Sequence, residues 1–363
     1  MKIKVLKEDL MKSINIIQNA VDVRSTLPIL SNILIETDGK GLRLTTTDLN
    51  LGISCVFPAE VVDNGAVAVP AKRFGDIIKE LSEQEINITA KKNNLVTVET
   101  KNCQFKLMGL PKEEFPKLPE FKDKEVIKLS EEGLKKLLNL VVFAASSDET
   151  RYILNGVLFK INKDQLSLVA TDGRRLAMAS KKLSQPISQS VSIIIPIKTI
   201  HELIRNLNDG EELSLILNQN QAMFVLGKVI IISRLLEGEF PDYQAVVPPA
   251  SENKIKVSRE QFLQAVRRAA ILSTPDFQAV KLEVFKNRIV VSKSTPDVGE
   301  SREEVAAEYS GKELVVGFNP AYLIDALKNL EDDTISLEVT EADKPAVLRK
   351  DNYLYIVLPM RLG

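Results

Sequence analysis

The 363-residue chain has no tryptophan, a single histidine (His201) and two cysteines, Cys55 and Cys103. Those scarcities bear first on metal chemistry. One histidine and no Cys-x-x-Cys pair cannot assemble a zinc cluster, and no metal or cofactor is implied. The Walker-type phosphate loop, the HExxH helix and the GxSxG nucleophile turn are missing from the sequence as well. No apolar run approaches the roughly 18 residues a membrane span needs; the longest, around Val191–Ile195, breaks at Pro196. Nor is there an excess of either charge, with 48 Lys plus Arg against 49 Asp plus Glu. Contact with nucleic acid therefore requires cations gathered on one surface while acids cover the rest.

The opening Met1-Lys2-Ile3-Lys4-Val5 alternates like a strand, and no signal-type apolar core follows. A cytoplasmic location is expected. Both cysteines lie in alternating apolar runs and are expected to be buried free thiols. His201 falls near the start of a predicted helix, beside Lys198 and Glu202, where a surface or capping role is expected. Asp172-Gly173 reads as a tight turn with glycine at positive φ rather than as the start of a metal site.

What the chain does have is internal repetition. Three predicted helices open on acidic first turns: Lys7-Glu8-Asp9, Ser130-Glu131-Glu132 and Ser258-Arg259-Glu260-Gln261, the last fitting a capping box. Apolar residues follow at helical spacing, as in Leu134, Leu137, Leu138 and Val141, and again in Phe262, Ala265, Val266 and Ala269. A second helix in each third opens on a proline, Pro70, Pro196 or Pro320, the residue whose missing N–H suits a helix start. The intervals are 196 − 70 = 126 and 320 − 196 = 124 residues. Period-two runs at Ile29–Glu36, Leu42–Thr46, Val157–Ile161, Leu166–Ala170, Val280–Phe285 and Ile289–Ser292 predict strands, with turns at Gly39, Gly41, Asn162–Asp164 and Asn287. Each third thus reads as an α+β unit of two helices and about eight short strands. Glu-Phe-Pro at 114–116 and again at 239–241 marks equivalent exits, giving domains 1–120, 121–250 and 251–363.

Basic residues collect on the polar helix faces. Lys72 and Lys79 share one face of the second helix, as do Lys198 and Arg205 in the next copy, each pair seven residues apart. First helices add Lys7, Lys12, Lys135, Lys136, Arg259, Arg267 and Arg268; copy three departs, with Tyr322 and Asn329 at the matching places. A 120-residue body is roughly 35 Å across, so three in a triangle leave a hole of about 5 Å and six leave roughly 35 Å. Duplex DNA, about 20 Å wide with grooves ~8.5 and ~7.5 Å deep, passes only through the larger. From these residues alone a DNA-modifying enzyme with an unrecognised site, and a protein scaffold without DNA, also stay open.

Further motifs carry a family resemblance over the whole chain: Thr26–Asn32, Arg151–Gly156, Ala170–Ala177, Glu239–Tyr243 and the ending Leu358-Pro359-Met360-Arg361-Leu362. Together they resemble the bacterial DNA sliding clamp, the beta subunit of replicative DNA polymerase III. That resemblance implies three tandem clamp domains per chain and a head-to-tail homodimer forming a six-domain ring, helices inside and sheets outside. It implies a processivity factor, not an enzyme, that encircles duplex DNA and is opened by an ATP-driven clamp loader. Arg24, Arg73 and Lys198 match positions that approach DNA; Asp148 departs from the polar or basic residue of relatives.

The resemblance further implies a pocket between the second and third domains for short linear motifs of the polymerase, the loader and other DNA-processing proteins. Matching positions are Leu154, Thr171, Gly173, Arg174, Arg175 and Leu176, with Arg151 and Ile153 beside them. Pro241 and Val246 come from the linker, and Ile356, Val357, Leu358, Pro359, Met360 and Arg361 from the C-terminal end. Ala245 replaces a basic residue of some relatives. At the dimer seam, Phe105 and Leu107 are expected on an edge strand, Ile271, Leu272 and Phe277 as an apolar plug, and Lys101 and Lys106 opposite Glu300, Glu303 or Glu304.

Overall fold

The computed structural model describes residues 1–22, 25–39, 41–121 and 125–362. Among them are six α-helices: α1 (Lys7–Ile17), α2 (Ala71–Glu80), α3 (Glu131–Val141), α4 (Ile197–Asn206), α5 (Arg259–Ala270) and α6 (Pro320–Asn329), with 25 strands. Each sequence repeat therefore holds two helices, amid antiparallel strands. None of the described helices is long and apolar enough to cross a membrane.

The first helices begin the same way in all three copies, on a main-chain acceptor. The leading N–H of Lys7, Glu131 and Arg259 donates to a backbone carbonyl, of Gln84, Glu211 and Asp333 respectively, at 2.8–3.0 Å. A neighbouring stretch of main chain thus satisfies one of the donors a helix start leaves open. That explains how α1 manages with Leu6 as its N-cap and no side-chain bond. Ser258 does accept from the Gln261 N–H, at 3.5 Å.

Of the three prolines only Pro320 is the first helical residue, behind Asn319, whose side chain accepts from the Ala321 N–H at 3.0 Å. Pro70 and Pro196 stand one position earlier, closing the strands Ala66–Pro70 and Val191–Pro196. The strand expected from Ile29 begins only at Asn32, because Pro28–Ser31 form a 3-10 turn. Ser31 Oγ and Asn32 Nδ2 both donate to the Pro28 carbonyl at 2.7 Å, a local bond that competes with strand pairing. The predicted turns are present, with positive φ at Gly39, Lys163 and Asn287. Cys55 is buried, and desolvation raises its thiol to about 11. Cys103, against expectation, is only half-buried, in the turn immediately before the strand Gln104–Met108 at the edge of its sheet.

Contacts cut the chain differently from the repeats, into two compact units: Met1–Glu132 with His201–Leu235, and Gly133–Ile200 with Leu236–Gly363. The physical reason is that sheets run through the junctions between copies. In the first unit, Val229–Arg234 pairs antiparallel with Leu51–Pro58, Ile231 opposite Ile53, to make one eight-stranded sheet. A separate five-stranded sheet there ends on the edge strand Gln104–Met108. In the second unit, Tyr353–Val357 pairs with Arg175–Lys182, Ile356 opposite Leu176, within a twelve-stranded sheet. The middle copy thus gives half of its strands to each unit.

At one strand start the sheet tolerates only glycine. A Cβ on Gly156 would lie 2.7 Å from the Ile195 carbonyl oxygen and 2.8 Å from Ile194 Cγ2. Gly156→Ala is expected to destabilise by about 1–3 kcal/mol through overpacking, read as a lower urea midpoint of unfolding; an unchanged midpoint would contradict the packing described.

Candidate functional site

All of the residues expected to form a pocket lie within the second unit. Its polar half is built on two turns. Asp148 Oδ1 accepts from the Thr150 N–H at 3.0 Å and from its hydroxyl at 2.7 Å, which holds the carboxyl below its ordinary range. In the Thr171–Arg175 turn, Asp172 Oδ1 accepts from the N–H groups of Arg174 and Arg175, and Thr171 Oγ1 accepts from Gly173 and donates to the Arg175 carbonyl. Gly173 has φ +83°, as read from the sequence; a Cβ there would come within 2.9 Å of the Arg151 guanidinium. That guanidinium donates to the Asp172 carbonyl at 2.7 Å and ties the two turns together.

Arg175 is the fixed post of this half. Its side chain is only 10% exposed, with Nε 3.1 Å from Asp172 Oδ2 and Nη1 2.7 Å from Asp325 Oδ2. Its guanidinium carbon sits 4.4 Å from the Tyr322 ring centre and 5.6 Å from that of Phe143. Burial favours losing the proton, but the carboxylates outweigh it and hold the group above its ordinary range, as a permanent cation. Arg175, expected to line the pocket, stands here as a buried wall. Around it lies a polar cavity of about 340 Å³ that Arg151, Arg174, Ser146, Ser147 and Asp148 also line.

The apolar half is laid on the paired strands. Leu176 and Ile356 are buried in a cluster with Leu158, Val169, Ile194, Tyr243, Val347 and Leu354, against which Ile153, Met178, Phe240 and Val247 pack. Leu176, Ile356 and Val357 are therefore core, and Leu154 is half-buried. Val246, 59% exposed, Leu358, Pro241 and Arg361 face solvent, while Pro359 and Met360 are half-buried. Two backbone bonds hold the C-terminal run down: Leu358 N–H to the Arg174 carbonyl at 2.9 Å and Met360 N–H to Gly317 at 2.8 Å. Sequence reasoning missed Phe240 and Tyr243, although both lie in the Glu-Phe-Pro-Asp-Tyr motif. It also missed the Asp325 and Tyr322 contacts to Arg175, which no local signal announces.

The basic residues divide into two sets. Lys72, Arg73 and Lys79 on α2 are exposed, Arg267 on α5 is half-buried, and among the described residues none of them makes an ion pair. Lys198 is exposed on α4, as is His201. Arg205 instead pairs with Glu202 at 3.2 Å. Arg268 forks onto Glu303, Nε to Oε2 at 2.8 Å, which raises the guanidinium and lowers the carboxyl from their ordinary ranges. Arg24 lies outside the described residues. Of the expected seam residues, Phe105, Phe277 and Ile271 (77%) are exposed, and Leu107 and Leu272 half-buried. Glu303 already serves Arg268, and Glu304 lies 3.2 Å from Arg302.

No cluster of three or more His, Cys, Asp or Glu among the described residues is arranged to hold a metal. Asp325→Ala is expected to destabilise by about 1–3 kcal/mol, because it leaves a buried cation short of an acceptor; chemical denaturation measures it, and an unchanged midpoint would contradict the role given to Arg175.

Comparison with known proteins gives matches along the full chain. The descriptions "DNA polymerase III beta subunit" N-terminal, central and C-terminal domain match residues 1–119, 128–242 and 244–361 in turn. The Beta sliding clamp of Chlamydia pneumoniae is 32% identical over 363 residues, covering 100% of this chain and 99% of that one. That of Bacillus subtilis is 33% identical, covering 99% and 100%. Among solved structures, the Bacillus subtilis sliding clamp superposes with a TM-score of 0.96 at 31% identity, covering 100% of both chains. The Bartonella birtlesii clamp, solved bound to griselimycin, gives 0.94 at 34%, again covering 100% of both. The chain belongs to the DNA polymerase III beta subunit family, the bacterial sliding clamps.

Proposed function

We propose that this chain is a DNA sliding clamp, two copies of which close head to tail around duplex DNA and tether a replicative polymerase to it. The observation that carries the reading is the end-to-end likeness of all three repeats to sliding clamps. The clamp acts in the cytoplasm as a processivity factor with no chemistry of its own, and its domains are 1–120, 121–250 and 251–363.

Two open sheet edges support ring closure. Among the described residues Gln104–Met108 pairs on one side only, and its flank carries Lys101 and Lys106. Gly299–Glu308 pairs with Lys254–Ser258 only at Ala307 and Glu308, so the outer side of residues 299–306 bonds to no strand among the described residues. That second edge carries Glu300 and Glu304. Unpaired edges of opposite charge, one with Phe105 exposed and the other accompanied by Ile271 and Phe277, are complementary in the way a head-to-tail seam needs.

Lys72, Arg73, Lys79, Lys198 and Arg267 supply the phosphate-directed, sequence-blind contacts that allow sliding. Arg205 and Arg268, each bound to a glutamate of its own chain, contribute less, and Arg24 joins by its place in the family pattern. The groove along Val246, Leu358, Pro359, Met360 and Arg361, with Arg174 and the Arg151 turn at its polar end, captures short linear motifs of polymerase and loader proteins.

Loaded onto nicked circular DNA by a clamp loader, the protein is expected to resist high salt on circles and to run off once the DNA is linearised. Salt-sensitive release from circles, equal to that from linear DNA, would overturn the reading. Removing residues 358–363 is expected to weaken capture of a linear-motif peptide by about tenfold or more, roughly 1.4 kcal/mol, with the dimer mass unchanged. Full-strength peptide binding by the truncated chain would remove the proposed groove.

A further inference from the structure

Among the described residues, one buried cation has no carboxylate to answer it. Lys293, on the strand Arg288–Thr295, is 5% exposed, and among the described residues it is the only lysine in the buried set. Its ammonium donates to two backbone carbonyls, of Phe277 at 2.7 Å and of Ala279 at 2.9 Å, and forms no ion pair there. Two residues along the same strand, the buried Thr295 hydroxyl donates to the Leu272 carbonyl at 2.6 Å. All three acceptors lie in the segment 271–279, which follows α5.

Burying an ammonium is costly, and an apolar side chain of similar length would fill the same volume without that cost. What the ammonium adds is its grip on the two carbonyls, and its desolvation lowers its pKa from the ordinary lysine value. The first three residues of the gripped segment hang from the end of α5, the N–H groups of Ile271, Leu272 and Ser273 donating to the Arg268, Ala269 and Ala270 carbonyls at 3.0–3.2 Å. Beyond them it is held mainly by itself: Thr274 and Phe277 exchange backbone bonds at 3.1 and 3.2 Å, and Gln278 Nε2 donates to the Pro275 carbonyl at 3.1 Å. It nevertheless presents Ile271 and Phe277 to solvent. Ile271 is tied to the end of α5, but Phe277 sits on a stretch, 274–279, that among the described residues bonds to no helix or neighbouring strand through its own N–H groups. The apolar pair would lose affinity to the entropy of ordering unless something fixes the stretch beforehand.

We propose that Lys293, assisted by Thr295, is a positioning residue for self-association: it fixes the 271–279 segment so that Ile271 and Phe277 form a ready-made surface for a second copy of this chain. This rests on the seam reading above and adds a residue outside the seam that sets its strength. Lys293 touches no partner; it acts through the main chain of the segment that does.

The test measures the dimer dissociation constant of the full chain by analytical ultracentrifugation, together with hydrogen exchange of residues 271–279. Lys293→Met is expected to raise the dissociation constant about tenfold and to speed exchange at 271–279, while exchange in the twelve-stranded sheet stays as it was. Thr295→Val, a milder change, is expected to shift both readouts the same way by about threefold, and it stands in should Lys293→Met fail to fold. A dissociation constant unchanged in Lys293→Met, or in Thr295→Val if that variant stands in, overturns the proposal. Ile271→Asp separates the two readings: if it leaves the dimer intact, the seam itself is misplaced and the proposal goes with it. If it dissociates the dimer while the Lys293 and Thr295 variants do not, only the role of Lys293 fails.

Discussion

Unpaired strand edges govern this architecture. A strand at the rim of a sheet exposes N–H and C=O groups that must find partners or water, and a row of them invites another strand. The chain covers two such rims with strands from the next repeat. Val229–Arg234 lies along Leu51–Pro58, and Tyr353–Val357 along Arg175–Lys182. Because the pairing crosses repeat boundaries, three similar sequence units merge into two contact units, with the middle repeat shared. The edges at Gln104–Met108 and 299–306 find no cover in the described chain, and the proposed ring uses a second copy to cover them.

The same junction makes the candidate peptide groove. Where Tyr353–Val357 docks, the chain end continues across the Arg174 carbonyl, so the groove floor is fixed by main-chain bonds rather than by side chains alone. Arg175 secures the polar end by bonding both the turn beside it and α6, over 150 residues of chain. A site of this kind is rigid where it bonds to itself and open where Val246 and Leu358 meet water. That division suits recognition of a short extended segment, which contributes the flexible half of the complex.

Much of this was legible in the sequence because it is local. Proline at near-equal intervals announced α2, α4 and α6; alternation announced the strands; Asp172-Gly173 announced its turn. What was not legible depends on residues distant in the chain. Nothing near Arg175 points to Asp325, and nothing near Arg268 points to Glu303, so residues whose charges looked available for DNA or for a partner turn out to be engaged. The start of α1 was hidden for a related reason: it needs no polar side chain because a carbonyl 77 residues later, that of Gln84, accepts its first N–H, whereas the local Ser258–Gln261 cap of α5 was legible. Lys293 could not be singled out from 48 cationic residues, since its burial comes from the folding of 271–279 over its strand.

Hydrogen exchange as a function of protein concentration tests the edge-pairing account most directly. If a second copy covers the open edges, the outward amides of Gln104–Met108 and of residues 299–306 should gain protection together as concentration rises through the dimer range, while the internal pairings at Leu51–Pro58 and Arg175–Lys182 stay protected throughout. Amides at those two edges that exchange at the same rate at every concentration, in a species that remains a monomer, would contradict it.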